Sequence, residues 1–167
     1  AKYRVDFKRY LFSLEILTSL PNARELRFVD VGTGIGILPL ALRKLGFNAT
    51  GIDYFIFPEQ KDEDFGVADI ATLQKLWREN GVEVKNTNIF TADLAREIGS
   101  ADVVINEAMI EHLKDPRRFL EKVQKILKPG GYLLLTTPNS ATLLQRFRFL
   151  FGRSPSWPIE EFFKAGE

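Results

Sequence analysis

The chain has 167 residues, 45% hydrophobic and 27% charged, which fits one soluble globular domain able to bury its own core. Its 23 Lys and Arg against 22 Asp and Glu leave a net charge of +1, so no basic field points to nucleic acid, and no nucleic-acid partner is expected. Cysteine is absent, which excludes disulfides, thiolate metal sites and a cysteine nucleophile.

No apolar run reaches the roughly 18 residues a spanning helix needs, and AKYRVDFKRY at the start is too charged for a signal core. A cytoplasmic setting is therefore the default. Ala1 reads as a small residue exposed by Met removal, or else as the start of a fragment. The expected organisation is a single domain over 1–167: an N-terminal helix over 1–24, a core over 25–138 and a C-terminal segment over 139–167.

Tyr3, Phe7, Tyr10, Leu11, Leu14 and Leu17 recur at helical spacing, and Pro21-Asn22 closes that helix. Leu26–Val31 is a short β-rich run that leads into Gly32-Thr33-Gly34-Ile35-Gly36 and then a helix over Ile37–Leu45. Pro39 fits only in the first turn of that helix, where its missing N–H is tolerated. Asn48–Asp53 is a second strand, 54–66 an irregular acidic connection, and Ile70–Glu79 a helix. Val82–Ile89 is a third strand and Ala101–Asn106 a fourth.

Asp115-Pro116 starts a helix with an N-cap and Pro at its first position. Phe119, Leu120, Val123, Ile126 and Leu127 give it an apolar face, Lys125 and Lys128 complement its dipole, and Pro129-Gly130-Gly131 stops it. Tyr132–Thr137 is a fifth strand, apolar on both faces like a buried parallel strand. Strands alternating with helices predict a Rossmann-like, doubly wound α/β fold with a mostly parallel sheet. In such sheets a ligand lies at the carboxyl ends of the strands.

The glycine turn stands at one of those ends, ahead of a helix N-terminus with free N–H groups and positive partial charge. A tight strand–helix turn alone would also use glycine. A dinucleotide fingerprint would require Gly or Ala where Ile37 stands, and a P-loop would require Gly-Lys-Ser/Thr. Asp53 ends the second strand some 20 residues on, where a carboxylate can accept both hydroxyls of a ribose; it could equally cap the strand at the surface. Asp93, after the third strand, suits an adenine amino group or the N-cap of a helix over 94–98.

The segments FVDVGTGIG, TGIDYF, IFTADL and ADVVINEAMIEHLKDPRRFLEKVQKILKPGGYLLLTTPN together resemble the class I S-adenosylmethionine-dependent methyltransferases. Within these they are similar to the branch that includes ubiquinone-biosynthesis O-methyltransferases and many small-molecule and glycan methyltransferases. The resemblance covers residues 25–140 and implies S-adenosylmethionine as cofactor, with S-adenosylhomocysteine as product. It implies that Gly32, Thr33, Gly34 and Gly36 pack against the cofactor while Asp30 orients its amino end. Asp53 would hold the ribose with Tyr54 beside the adenine, Asp93 and the Leu94 backbone would read the base, and Asn106 would meet the methionine portion through its carbonyl.

His112, the sole histidine, stands on the acceptor side by the same resemblance. It either accepts a hydroxyl proton as general base or, with Glu111 and Leu113, merely shapes the turn. Glu107 and Glu111 are weaker candidates for the base. A metal held by Glu107, Glu111 and His112 is not expected, because such a set needs a fixed second shell. Asn106-Glu107-Ala108-Met109 differs from the N-P-P-aromatic pattern of enzymes that methylate exocyclic amino groups. The expected acceptor is therefore an oxygen of a small molecule, lipid or glycan precursor, with a non-catalytic binding or scaffold subunit as the alternative.

Two features depart from the family. Ser140–Phe151 can form one more helix, but 153–167 cannot supply the two further strands of the usual seven. The fifth strand would then be an exposed edge, covered by missing sequence or by a partner such as a second copy in a homodimer. Leu143, Leu144, Phe147, Leu150 and Phe151 also recur at helical spacing beside Arg146, Arg148 and Arg153. This pattern suits a helix packed over the acceptor pocket, or a basic amphipathic surface for a membrane or lipid substrate.

Overall fold

The computed structural model describes residues 2–54, 70–139 and 142–152. The expected connection over 54–66, apart from Tyr54, and the segment 153–167 lie outside the described residues. Helices are α1 (Lys2–Thr18), α2 (Ile37–Lys44), α3 (Ile70–Glu79), α4 (Leu94–Ile98), α5 (Pro116–Ile126) and α6 (Leu143–Leu150). Strands are β1 (Arg27–Val31), β2 (Asn48–Asp53), β3 (Glu83–Asn86), β4 (Ala101–Glu107) and β5 (Leu127–Thr136). Single helical turns at Ala23–Glu25 and Ile110–His112 complete the order.

All described strands pair in parallel in the order β3-β2-β1-β4-β5. The chain winds outward from β1 to β3, then returns to lay β4 on the other side of β1. The switch therefore falls between β1 and β4, where a doubly wound sheet opens its ligand crevice.

Both faces of the sheet are covered, because side chains of successive strand residues alternate between them. On one face Val29, Val31, Ile52 and Val104 pack against Leu94 and Ile98 of α4 and Phe119, Val123 and Ile126 of α5. On the other Phe28, Ala49, Val103 and Ile105 meet Leu17 of α1 and Leu38 and Leu42 of α2. Asp115 caps α5 by accepting the Arg118 N–H at 2.9 Å, with Pro116 first in the helix, as the sequence predicts.

Two strands depart from expectation. β3 stops at Asn86 instead of Ile89, because its partner β2 ends at Asp53 and Thr87 N–H makes the last bond across, to Asp53 O at 2.7 Å. The Asn88 side chain then accepts the Phe90 N–H at 2.9 Å and turns the chain. α5 ends at Ile126, before Pro129-Gly130-Gly131, and β5 begins at Leu127, five residues ahead of the predicted Tyr132.

An irregularity between Ala101 and Val103 absorbs the extra β5 residues. Lys128 serves the strand rather than the helix dipole, its Nζ lying 2.8 Å from Asp102 Oδ1. That ammonium, with the Arg27 N–H at 2.9 Å, holds the Asp102 carboxyl below the usual carboxylate range. β5 is not buried on both faces: Tyr132 and Leu133 are 44% and 38% exposed, and the strand is an edge among the described residues.

Adjacent residues of α5 test this packing. Phe119 is fully buried and Leu120 is 41% exposed. Phe119→Ala is expected to cost about 3–5 kcal/mol in denaturant unfolding, and Leu120→Ala about 0.5 kcal/mol or less. Equal losses would contradict the assigned helix face.

Candidate functional site

The turn after β1 is fastened to the tip of β2. Gly32 N–H and Thr33 N–H both donate to Ile52 O, at 2.9 and 3.1 Å, and Gly36 N–H donates to Thr33 O at 3.0 Å. Gly32 has φ +77, a region L side chains rarely adopt, and a Cβ there would lie 2.0 Å from Met109 Sδ. Glycine thus lets the turn close under Met109.

Asp53 extends from the end of β2 to this turn. Its Oδ2 accepts the Gly34 N–H at 2.6 Å and its Oδ1 the Tyr54 N–H at 2.7 Å. Burial raises the proton affinity of the carboxyl, while those two backbone donors oppose the rise. Each oxygen retains a further lone pair for a ligand hydroxyl. Tyr54 follows immediately and is half exposed.

Asp30 and Asn106 stand at the facing ends of β1 and β4. Both are buried, Asp30 at 3% and Asn106 at 0% exposure. Thr33 Oγ1 donates to Asp30 Oδ2 at 2.6 Å, and Asn106 Nδ2 donates to Val31 O at 2.8 Å and reaches Met109 Sδ at 3.2 Å. The remaining oxygens, Asp30 Oδ1 and Asn106 Oδ1, have no donor among the described residues. Burial pushes the Asp30 carboxyl up to about 7, opposed by the Thr33 hydroxyl and reinforced by the Glu107 and Asp53 charges. Buried acceptors without donors are rare in folded proteins and suit a ligand that brings donors of its own.

Glu107, next after Asn106, is spoken for by the protein. Its side chain is 4% exposed, ion-paired with Arg9 Nε at 3.0 Å, and accepts from Thr136 Oγ1 at 2.7 Å and from Ser13 Oγ. Arg9 and Ser13 belong to α1, so this carboxylate seats the N-terminal helix on the tips of β4 and β5. Nothing in the local sequence announces the contact, since Ser13 and Glu107 are 94 residues apart.

Two other predicted residues, Asp93 and His112, are exposed. Asp93 caps α4, accepting the Arg96 N–H at 3.3 Å. It lines a cavity of about 400 Å³ with Thr91, Leu94, Lys122 and Lys125. The Leu94 side chain is buried in the core. His112 is exposed at the end of the helical turn Ile110–His112, its backbone N–H bonded to Met109 O at 2.9 Å. The structure thus joins Asp30, the glycine turn, Asp53 and Asn106 through hydrogen bonds, with Tyr54 beside them. The Asp93 carboxylate caps its own helix, and the His112 backbone closes its own turn.

Trp77 of α3, to which no local motif points, donates from Nε1 to Ile35 O at 3.0 Å within the glycine turn. Met109, above Gly32, also went unmarked as a site residue. Among the described residues no helix is long and apolar enough to cross a membrane.

A methyltransferase-domain family model matches residues 4–162. The ubiquinone biosynthesis O-methyltransferase of Paraburkholderia phymatum is 37% identical over 114 residues, 68% of this chain and 44% of the relative. The enzyme of the same name from Colwellia psychrerythraea is 33% identical over 141 residues, 83% of this chain and 53% of the relative. The chain spans about half the length of the curated relatives it matches. Among solved structures, coclaurine N-methyltransferase bound to N-methylheliamine and S-adenosylhomocysteine superposes with a TM-score of 0.55 at 17% identity, over 76% of this chain and 34% of that one. That likeness speaks to the fold alone. By the family model and these relatives, the chain belongs to the class I S-adenosylmethionine-dependent methyltransferases.

Proposed function

We propose that this protein transfers a methyl group from S-adenosylmethionine to an oxygen of a small organic acceptor, a class that includes lipid and glycan precursors. The observation that carries the reading is the pair of buried oxygens without a donor among the described residues, Asp30 Oδ1 and Asn106 Oδ1, beside a glycine turn that Asp53 fastens. An amino-acid ammonium brings several N–H donors and a positive charge, which is what such oxygens lack. The donor set therefore fits the cofactor.

In this reading Asp30 and Asn106 hold the amino-acid end, with Asn106 offering its side-chain oxygen as well as its carbonyl. Gly32, Thr33, Gly34 and Gly36 allow close backbone approach, Asp53 takes the ribose hydroxyls, and Tyr54 flanks the base. Asp93 and the Leu94 backbone read the base edge. When bound, the cofactor supplies an activated methyl on a sulfonium, so the work left to the protein is positioning and desolvation. His112 accepts the proton of the acceptor hydroxyl. The choice of oxygen is supported by relatives that carry O-methyltransferase names.

Calorimetry with S-adenosylhomocysteine tests the site directly. Wild-type protein binds, and Asp53→Ala weakens binding by about 10- to 100-fold, the range expected for hydrogen bonds to a charged group. No heat with wild type at millimolar ligand would sink the assignment.

The Asp30 carboxyl supplies a pH signature. Its value near 7 in the free protein means that much of it is protonated below neutrality, whereas a bound ammonium favours the ionised form. Affinity should therefore rise by up to about tenfold per pH unit below 7 and level off above it. Asp30→Asn should flatten that slope, and an unchanged slope would remove Asp30 from the cofactor site.

With an acceptor in hand, His112→Ala should lower kcat by about 10²- to 10⁴-fold with cofactor affinity unchanged, the range for loss of a general base. Unaltered kcat would leave His112 as a turn residue.

A further inference from the structure

The glycine turn passes into α2 at Gly36, the N-cap, which has φ +76, and the helical ladder begins there with Leu40 N–H on Gly36 O at 3.1 Å. Ile35 stands one residue outside the helix, so its carbonyl has no place in that ladder.

The Ile35 carbonyl must be met from outside the helix, and the Trp77 indole Nε1 meets it at 3.0 Å. Trp77 is only 3% exposed, and its own carbonyl accepts the Val82 N–H at 2.9 Å, anchoring it at the entry to β3. A Cβ on Gly36 would lie 2.7 Å from the same Nε1, and Gly36 has φ +76. A glycine at 36 and an indole at 77 are thus complementary.

We infer that Trp77 is a positioning residue for cofactor binding, acting through the hydrogen bond from its indole N–H to the Ile35 carbonyl within the glycine turn. This rests on the cofactor reading above and extends it to a residue that does not touch the ligand. The turn is held to neighbouring elements at both ends: its Ile52 and Asp53 contacts bind it to β2, and Trp77 binds the Ile35–Gly36 peptide to α3. Without the indole donor the helix end of the turn loosens, and the cost of ordering it falls on ligand binding.

The test is calorimetry of S-adenosylhomocysteine binding to the full chain as wild type and Trp77→Phe, with exchange of the Gly36 amide proton followed by NMR in both. Trp77→Phe keeps an aromatic ring and removes the donor; it should bind about tenfold more weakly, equivalent to about 1.4 kcal/mol. In the same variant the Gly36 amide proton, bonded to Thr33 O, should exchange faster than in wild type while the strand amides keep their wild-type rates. A mere packing role predicts no such selective change. Affinity unchanged in Trp77→Phe, or lost with Gly36 exchange unchanged, overturns the inference.

Should Trp77→Phe fail to fold, the wild-type indole supplies the answer by ¹⁵N NMR, with Trp157→Phe separating the two tryptophan signals. Slow exchange of the Trp77 indole proton, slowed further by S-adenosylhomocysteine, supports the inference. Exchange at the unprotected rate, or exchange unaffected by saturating ligand, refutes it. If wild type itself shows no binding heat, the cofactor reading falls; a protected indole without ligand would then still report the Trp77–Ile35 bond.

Discussion

The hydrogen bond from Gly34 N–H to Asp53 Oδ2, 2.6 Å long, is the constraint on which the site depends. It joins the loop after β1 to the end of β2, so two strand tips in register along their length become one surface. The bond requires a turn tight enough to bring Gly34 back over the sheet, and that turn requires Gly32 in a conformation a side chain would resist. It also requires Asp53 to be partly desolvated, which raises the carboxyl's proton affinity, while the two backbone donors keep the charge supported. The same carboxylate therefore shapes the turn and is available to a ligand.

Around that joint the protein concentrates acidic groups at the carboxyl ends of its strands. Asp30, Asp53 and Glu107 interact electrostatically and answer burial in different ways. Glu107 has an arginine and two hydroxyls. Asp53 has two backbone N–H groups. Among the described residues Asp30 has only the Thr33 hydroxyl, and it is the one pushed up to about 7. Unequal satisfaction of like groups is a mark of function, since a structure optimised for stability alone would not leave a buried carboxylate oxygen without a donor. The Glu107 contacts also hold α1 on the strand tips. Just past them Ala108 adopts φ 49, kept there by its N–H bonds to the backbone and side-chain oxygens of Thr136. This local strain sits where the chain leaves β4 for the helical turn carrying His112.

Much of the fold was legible in local pattern. Helices over Ile70–Glu79 and from Pro116, and strands over Asn48–Asp53 and from Ala101, carry their periodicity and caps in adjacent residues, and the structure has them there. The strand ends that differ from the local pattern depend on a neighbour instead. β3 stops where β2 stops, and β5 starts early because Leu127 finds Ala101 and Lys128 finds Asp102. The same division runs through the site. The glycine turn and the carboxylates at strand ends were readable, because chemistry and placement coincide in a few consecutive residues.

By itself, then, the sequence determined an alternating α/β chain, the glycine turn, and the carboxylates that border it. Only the tertiary structure decided which of those acceptors would be satisfied and which left open: Asp53 by Gly34, Glu107 by Arg9 and Ser13, Ile35 by Trp77, with Asp30 Oδ1 and Asn106 Oδ1 unmet among the described residues. The physical reason is that hydrogen-bond satisfaction in a buried site is set by donors arriving from distant segments. Spacing along the chain reports where an acceptor stands, whereas the packing of helices on the sheet decides what reaches it.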